Sequence, residues 1–323
     1  MTCKTIAALA MAAATVLGSP TGAAAQSYPD RAVRMIIAFP AGGTIDTLGR
    51  IVAQKLSEAW GQNVVVENRA GASGNIGAQA AAQAAPDGYS LHLGAQTLAV
   101  NVTLAPTKGF DPTTDLEPIM LVATAQDVMM VPPDSPFRSA RELIDYAKTN
   151  PGKLNYASLG TGTSGHLATT LFSDLAGVKL QHVPYSQYSQ ALTDFLSGRT
   201  ALWITTLGGA IGNIQAGKMR ALAVSGQARA RQLPDVPTFK ELGVGFSDES
   251  SWYALFAPKG TSKAIVAKVN ADMARIIALP DVKEREATMG YRFIGGPPDK
   301  LDAFLKSEIA KWAEVAKSAS LKQ

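Results

Sequence analysis

Three glycine-rich turns constrain this chain more than any other feature, because each follows a β-branched run and opens a helical pattern. They cover residues 39–46, 71–77 and 158–166. Glycine lets a backbone approach a ligand closely, and the free N–H groups of a first helical turn favour an anion. Around the first two turns, strand patterns at 33–39, 64–67 and 89–93 alternate with helical ones. The helix after residue 43 has Leu48, Ile51, Val52 and Leu56 on one face and stops at Trp60-Gly61, and a second helix covers 75–84. This βαβαβ order predicts a parallel sheet with right-handed crossovers.

The grammar repeats after a proline-rich break at 132–136. Strands are expected at 128–131, 154–158, 201–204 and 221–224, with one ending at Val183, and helices at 139–149, from His166, and at 187–197. Beyond a strand at 252–257 the chain is nearly all helical apart from one short strand at 291–294, and 299–317 shows an apolar stripe of Leu301, Phe304, Leu305, Ile309, Trp312 and Val315. These helices lack a sheet of their own and must return to the first unit. The expected division is therefore 26–131 with 252–323 as domain 1 and 132–251 as domain 2. The fold class is α/β, two parallel-sheet domains joined by two crossover strands, with a hinge and a cleft at the strand C-termini.

Residues 1–25 read as a secretory signal peptide: Lys4, a short apolar stretch, and Ala23-Ala24-Ala25 as a small-x-small cleavage site. Cys3, the single cysteine, goes with it, which excludes disulfides, cysteine nucleophiles and cysteine-ligated metals. Net charge falls from +4 to +3 on loss of Lys4. With no Lys/Arg run, nucleic acid is not an expected partner, whereas a small anion is.

The motifs narrow the chemistry further. Gly160, Gly162 and Gly165 spell G-x-G-x-x-G, but the next strand ends in Leu180-Gln181-His182-Val183 without the acidic residue a dinucleotide ribose needs. No cofactor is expected. Ser164 and His166 invite a secreted serine hydrolase as the alternative, yet the final glycine of the nucleophile elbow is missing and i, i+2 side chains on a helix do not face each other. Three histidines at unrelated spacings (His92, His166, His182) do not make a zinc site, so no metal is expected. Asp46, in the first turn of its helix, reads as a residue that holds the loop's shape. Tyr185, Tyr188, Trp203 and Trp252 stand near expected strand ends.

Taken in order, 39–46 with Arg50, 65–77, Pro86-Asp87-Gly88-Tyr89, Pro151-Gly152-Lys153-Leu154, 160–166, His182-Val183-Pro184-Tyr185, Asp235-Val236-Pro237-Thr238 and Glu241-Leu242-Gly243 resemble the tripartite tricarboxylate transporter substrate-binding (Bug) proteins. The resemblance implies a periplasmic, type II-like Venus flytrap, not an enzyme. It would close on a carboxylate and deliver it to a membrane permease; a ligand-loaded partner of a sensor kinase shares the same fold and binding step, and a monomer is expected in either case. It also implies a ligand site at Pro40, Ala41, Gly42, Gly43 and Thr44 in one domain and Ser158, Gly160, Thr161, Gly162, Thr163 and Ser164 in the other. The far end of the ligand would meet Gln96, Thr97, Tyr185, Ser186, Thr205 and Thr206. Two departures bear on selectivity: Ser186-Gln187 stands where the family usually has Lys-Gly, and Gly198-Arg199-Thr200-Ala201 where it usually has Gly-x-Val-Asp. Without that aspartate, an aliphatic or aromatic dicarboxylate is expected rather than an amino acid.

Overall fold

A computed structural model of the chain describes residues 28–161, 163–245 and 251–318. The expected leader at 1–25, Cys3 and Gly162 lie outside the described residues. In chain order the elements begin β1 (Val33–Ile37), α1 (Thr44–Trp60), β2 (Val64–Asn68), α2 (Asn75–Ala82), β3 (Ser90–Ala95), α3 (Thr97–Leu104), α4 (Pro112–Asp115), β4 (Leu116–Ala125) and β5 (Asp127–Val131). There follow α5 (Ala140–Thr149), β6 (Asn155–Ser158), α6 (Ser164–Ala176), β7 (Gln181–Pro184), α7 (Tyr188–Leu196), β8 (Leu202–Thr206), α8 (Leu207–Gln215) and β9 (Arg220–Val224). The chain closes with β10 (Ser251–Pro258), α9 (Lys263–Ile277), α10 (Pro280–Met289), β11 (Tyr291–Phe293) and α11 (Pro298–Ser318).

These elements form two α/β units. One holds a six-stranded sheet in the order β11-β4-β10-β3-β1-β2, the other a five-stranded sheet in the order β7-β6-β8-β5-β9. Both sheets are mixed rather than parallel throughout: β10 runs antiparallel to β3 and β4, and β5 antiparallel to β8 and β9. The reason is the double crossing. Strands β5 and β10 each arrive from the other unit, so they start at the cleft where their neighbours end. The strand β5 pairs within the second sheet, which moves the first switch between units to Gln126 rather than after Val131.

Burial follows the pleat. Along β10, Tyr253, Leu255 and Ala257 pack with the α1 and α9 side chains Leu48, Val52, Val269 and Met273. Trp252, Ala254 and Phe256 face the other way, onto Leu98, Leu301, Leu305 and Trp312 of α3 and α11. All eight residues of β10 are buried, as expected of a strand covered on both faces. Helix α1 stops where Gly61 takes a left-handed conformation (φ 65°) and donates its N–H to the Ser57 carbonyl. Helix α11 is fixed to the sheet by the buried Glu308 carboxylate, which accepts from Trp252 Nε1 at 3.0 Å and Trp312 Nε1 at 3.3 Å.

Four elements, α3, α4, β4 and α8, were not foreseen from the sequence. The ten-residue β4 carries Pro118, which argues against a central strand, and the structure accommodates it opposite Phe256 at a register shift. Half of α3 is β-branched and α8 carries three glycines, neither shows a clear 3.6-residue period, and the four-residue α4 is too short to show one.

Candidate functional site

Between the two units lies a cavity of about 70 Å³. Four helices start at it. Their N-caps, Gly43 of α1, Gln96 of α3, Thr163 of α6 and Thr206 of α8, all line the cavity, and none of the four uses its side chain to cap its own helix. Each such end carries free N–H groups and the positive pole of the helix dipole. Among the described residues no Lys, Arg, His, Asp or Glu belongs to the lining. The arrangement can hold a negative charge through backbone N–H groups and hydroxyls alone.

The rest of the wall is apolar and aromatic: Phe39, Leu159, Tyr188, Trp203 and Tyr253. Burial, with Asp127 nearby, pushes the Tyr253 phenol up, so it stays neutral. The two units touch around the cavity. Thr44 Oγ1 and Thr206 Oγ1 share a hydrogen bond and Ser73 Oγ donates to the Thr161 carbonyl, while within the first unit Tyr291 Oη donates to the Thr44 carbonyl at 2.8 Å. The chain is therefore in a closed arrangement.

Of the residues singled out from the sequence, Pro40, Gly43, Thr44, Gln96, Thr97, Thr163, Ser164, Thr205 and Thr206 come together in this wall. Others do not. Ala41 and Gly42 are exposed outside it, and the Gly42 N–H is already given to Asp46 at 3.0 Å. Ser158 is buried behind the loop, its Oγ 2.6 Å from His182 Nε2, and Gly160 and Thr161 form the turn above it. Tyr185 turns into the core of the second unit, where its hydroxyl donates to Asp194 at 3.1 Å, and Ser186 is exposed. The aromatic of the expected stretch 185–188 that reaches the cavity is Tyr188, the first residue of α7. Trp252, noted near its strand end, packs on α11, and alternation along β10 sends Tyr253 to the cavity.

Asp46 sits beneath the first loop. Burial alone would raise its pKa, but hydrogen bonds from Arg50 Nε (2.9 Å), the Gly42 N–H and Asn68 Nδ2 (2.9 Å) outweigh it and hold the carboxyl below the usual range. On the opposite unit the His166 and His182 rings stack at 4.2 Å, with His182 also against Tyr156. Neither histidine lines the cavity that Ser164 faces, and the serine-hydrolase alternative has no support in this geometry.

Two α/β units closed over a charge-free, N–H-rich cavity define a solute-binding protein of the periplasmic binding class. Residues 48–321 match the tripartite tricarboxylate transporter family receptor model, and the chain belongs to that family, whose members bind solutes rather than catalyse reactions. It is 35% identical over 300 residues to Protein BugT of Bordetella pertussis, covering 92% of each chain. It superimposes on Rpa4515 of R. palustris, solved with adipate, with a TM-score of 0.87 at 35% identity, covering 91% of this chain and 98% of that one. For MatC of Rhodopseudomonas palustris, solved with malate, the TM-score is 0.83 at 30% identity, covering 89% and 99%. Among the described residues no helix is long and apolar enough to cross a membrane.

Proposed function

We propose that this protein captures a small dicarboxylate without a free amine in the periplasm and hands it to the membrane subunits of a tripartite tricarboxylate transporter. The observation that carries the reading is the convergence of four uncapped helix N-termini on a cavity without charged side chains. Such a wall stabilises a carboxylate and offers an ammonium group nothing ionic. A buried cation without a partner is costly. The nearest buried carboxylates are engaged elsewhere: Asp46 by Arg50, and Asp127 by the Ser251 hydroxyl at 3.0 Å. The adipate and malate held by the two related structures, neither of which carries an amine, support the same class. Ligand contacts from both units would favour the closed state.

Calorimetry with adipate, malate, aspartate and glutamate tests this. At least one of the first pair should bind about tenfold more tightly than either amino acid. Tighter binding of aspartate or glutamate than of both others would reverse the assignment.

A further inference from the structure

We propose that a basic groove beside the hinge docks an acidic segment of a partner protein, and that it does so in the closed arrangement. The groove has a volume of about 820 Å³ and lies over Thr124, Ala125 and Gln126, where the first crossover leaves the six-stranded sheet. Its walls come from different units. One is the segment after β9, with Arg229 and Arg231; the other is built from α10, β11 and α11, with Lys283, Arg292 and Lys311. Against these five cations the groove holds two carboxylates, Glu286 and Glu308. Both are occupied: Glu308 accepts from two indoles and pairs with Lys311 Nζ at 3.3 Å, and Glu286 accepts from the Phe293 N–H at 3.0 Å. Arg229 is held by Glu241 at 3.1 Å on the rim. Arg231 and Lys283, exposed on opposite walls, enter no ion pair among the described residues.

A cation on each wall of a long open trough suits several carboxylates spaced along an extended chain better than one small anion. Complementary charge of this kind sets partner choice and encounter rate. The groove is also tied to the ligand cavity. Tyr291 forms part of its wall, and the same hydroxyl donates to the Thr44 carbonyl at the start of α1, beside the Thr44–Thr206 contact that closes the cleft. Opening the cleft separates the two walls, so partner affinity and closure are linked, and the linkage is reciprocal.

The test needs no knowledge of the natural ligand. A Thr44→Cys/Thr206→Cys chain, oxidised, locks the closed arrangement; reduced, it is free to open. Fluorescein-labelled hexaglutamate is titrated into both by polarisation at low salt and at about 150 mM salt. The oxidised form should bind about tenfold more tightly than the reduced form. In the locked form Arg231→Glu with Lys283→Glu should weaken binding about tenfold or more, whereas Lys148→Glu on α5 should change it less than about twofold. Equal binding by locked and reduced chains overturns the dependence on closure. Equal losses from the groove and α5 reversals, or none from either, overturn the site.

Discussion

Gly209 of α8 packs so closely on Thr44 of α1 that a Cβ at position 209 would lie 2.6 Å from the Thr44 Oγ1. The two residues belong to different units, so this contact exists only when the cleft is shut. Gly209→Ala should therefore obstruct closure while leaving the separate units intact, since alanine is favoured over glycine in a helix by about 1 kcal/mol. Ligand affinity should fall about tenfold, with the melting temperature of the ligand-free protein unchanged or raised. Calorimetry and a thermal melt read the two effects separately. Undiminished affinity would mean that α1 and α8 need not meet for binding.

Removing the carboxylate under the first loop should loosen that loop. Asp46→Ala deletes the acceptor shared by the Gly42 N–H, Arg50 and Asn68, at a cost on the order of 2 kcal/mol. Arg50 is about half exposed, so its share is discounted for solvent screening. The sign with pH follows from a folded pKa held low. This stability is present above the unfolded value of about 3.9 and is lost as pH falls through the lower folded value. Urea midpoints between about pH 5 and pH 3 should fall less steeply for Asp46→Ala than for the unsubstituted chain.

The buried histidines act at higher pH. Burial pushes His92 down to about 4; its Nδ1 lies 3.0 Å from the Ile36 carbonyl, and its Nε2 has no partner among the described residues. Burial, then the neighbouring His182, puts His166 at about 4 as well. An unfolded histidine titrates near 6.5, so from there down to about 4 the unfolded chain takes up protons that the folded one refuses. The histidine contribution to stability should drop across that window and level off below it, where the carboxylate losses continue. Proton NMR should show the His92 and His166 ring signals titrating well below 6, and His166→Gln should flatten part of the stability slope.

Glu308 fastens the last helix to the first sheet through two indole N–H groups, so its loss leaves both donors buried and unanswered. Glu308→Ala should cost about 2–4 kcal/mol, whereas Glu308→Gln, which keeps an acceptor oxygen, should recover most of it. Chemical denaturation of the three chains measures both numbers.

How much could be read beforehand depended on which physical signal each residue carried. The turns at 39–46 and 158–166 announced themselves through glycine and supplied two of the four helix starts at the cavity. The other two, α3 and α8, are buried and apolar on most sides, so no stripe marks them, although Gln96, Thr97, Thr205 and Thr206 in front of them were picked out through the family resemblance. Telling which of Tyr185 and Tyr188 reaches the cavity, or that Tyr253 does, needs the phase of a strand or helix to within one residue. A one-residue slip sends a side chain to the opposite face. The mixed direction of both sheets was hidden for another reason: local pattern says where a strand is, not from which side it enters.

The placement of β10 also fixes an order of assembly. This strand sits between β3 and β4, which precede it by more than a hundred residues, so the six-stranded sheet has a gap at its centre until the chain has been made beyond residue 258. The five-stranded sheet, drawn wholly from β5 to β9, faces no such wait. A chain emerging N-terminus first thus completes its second lobe before its first, and β3 and β4 present unpaired edges in the interval. Long-range pairing of this kind is slow to form and exposed to misassociation while it waits.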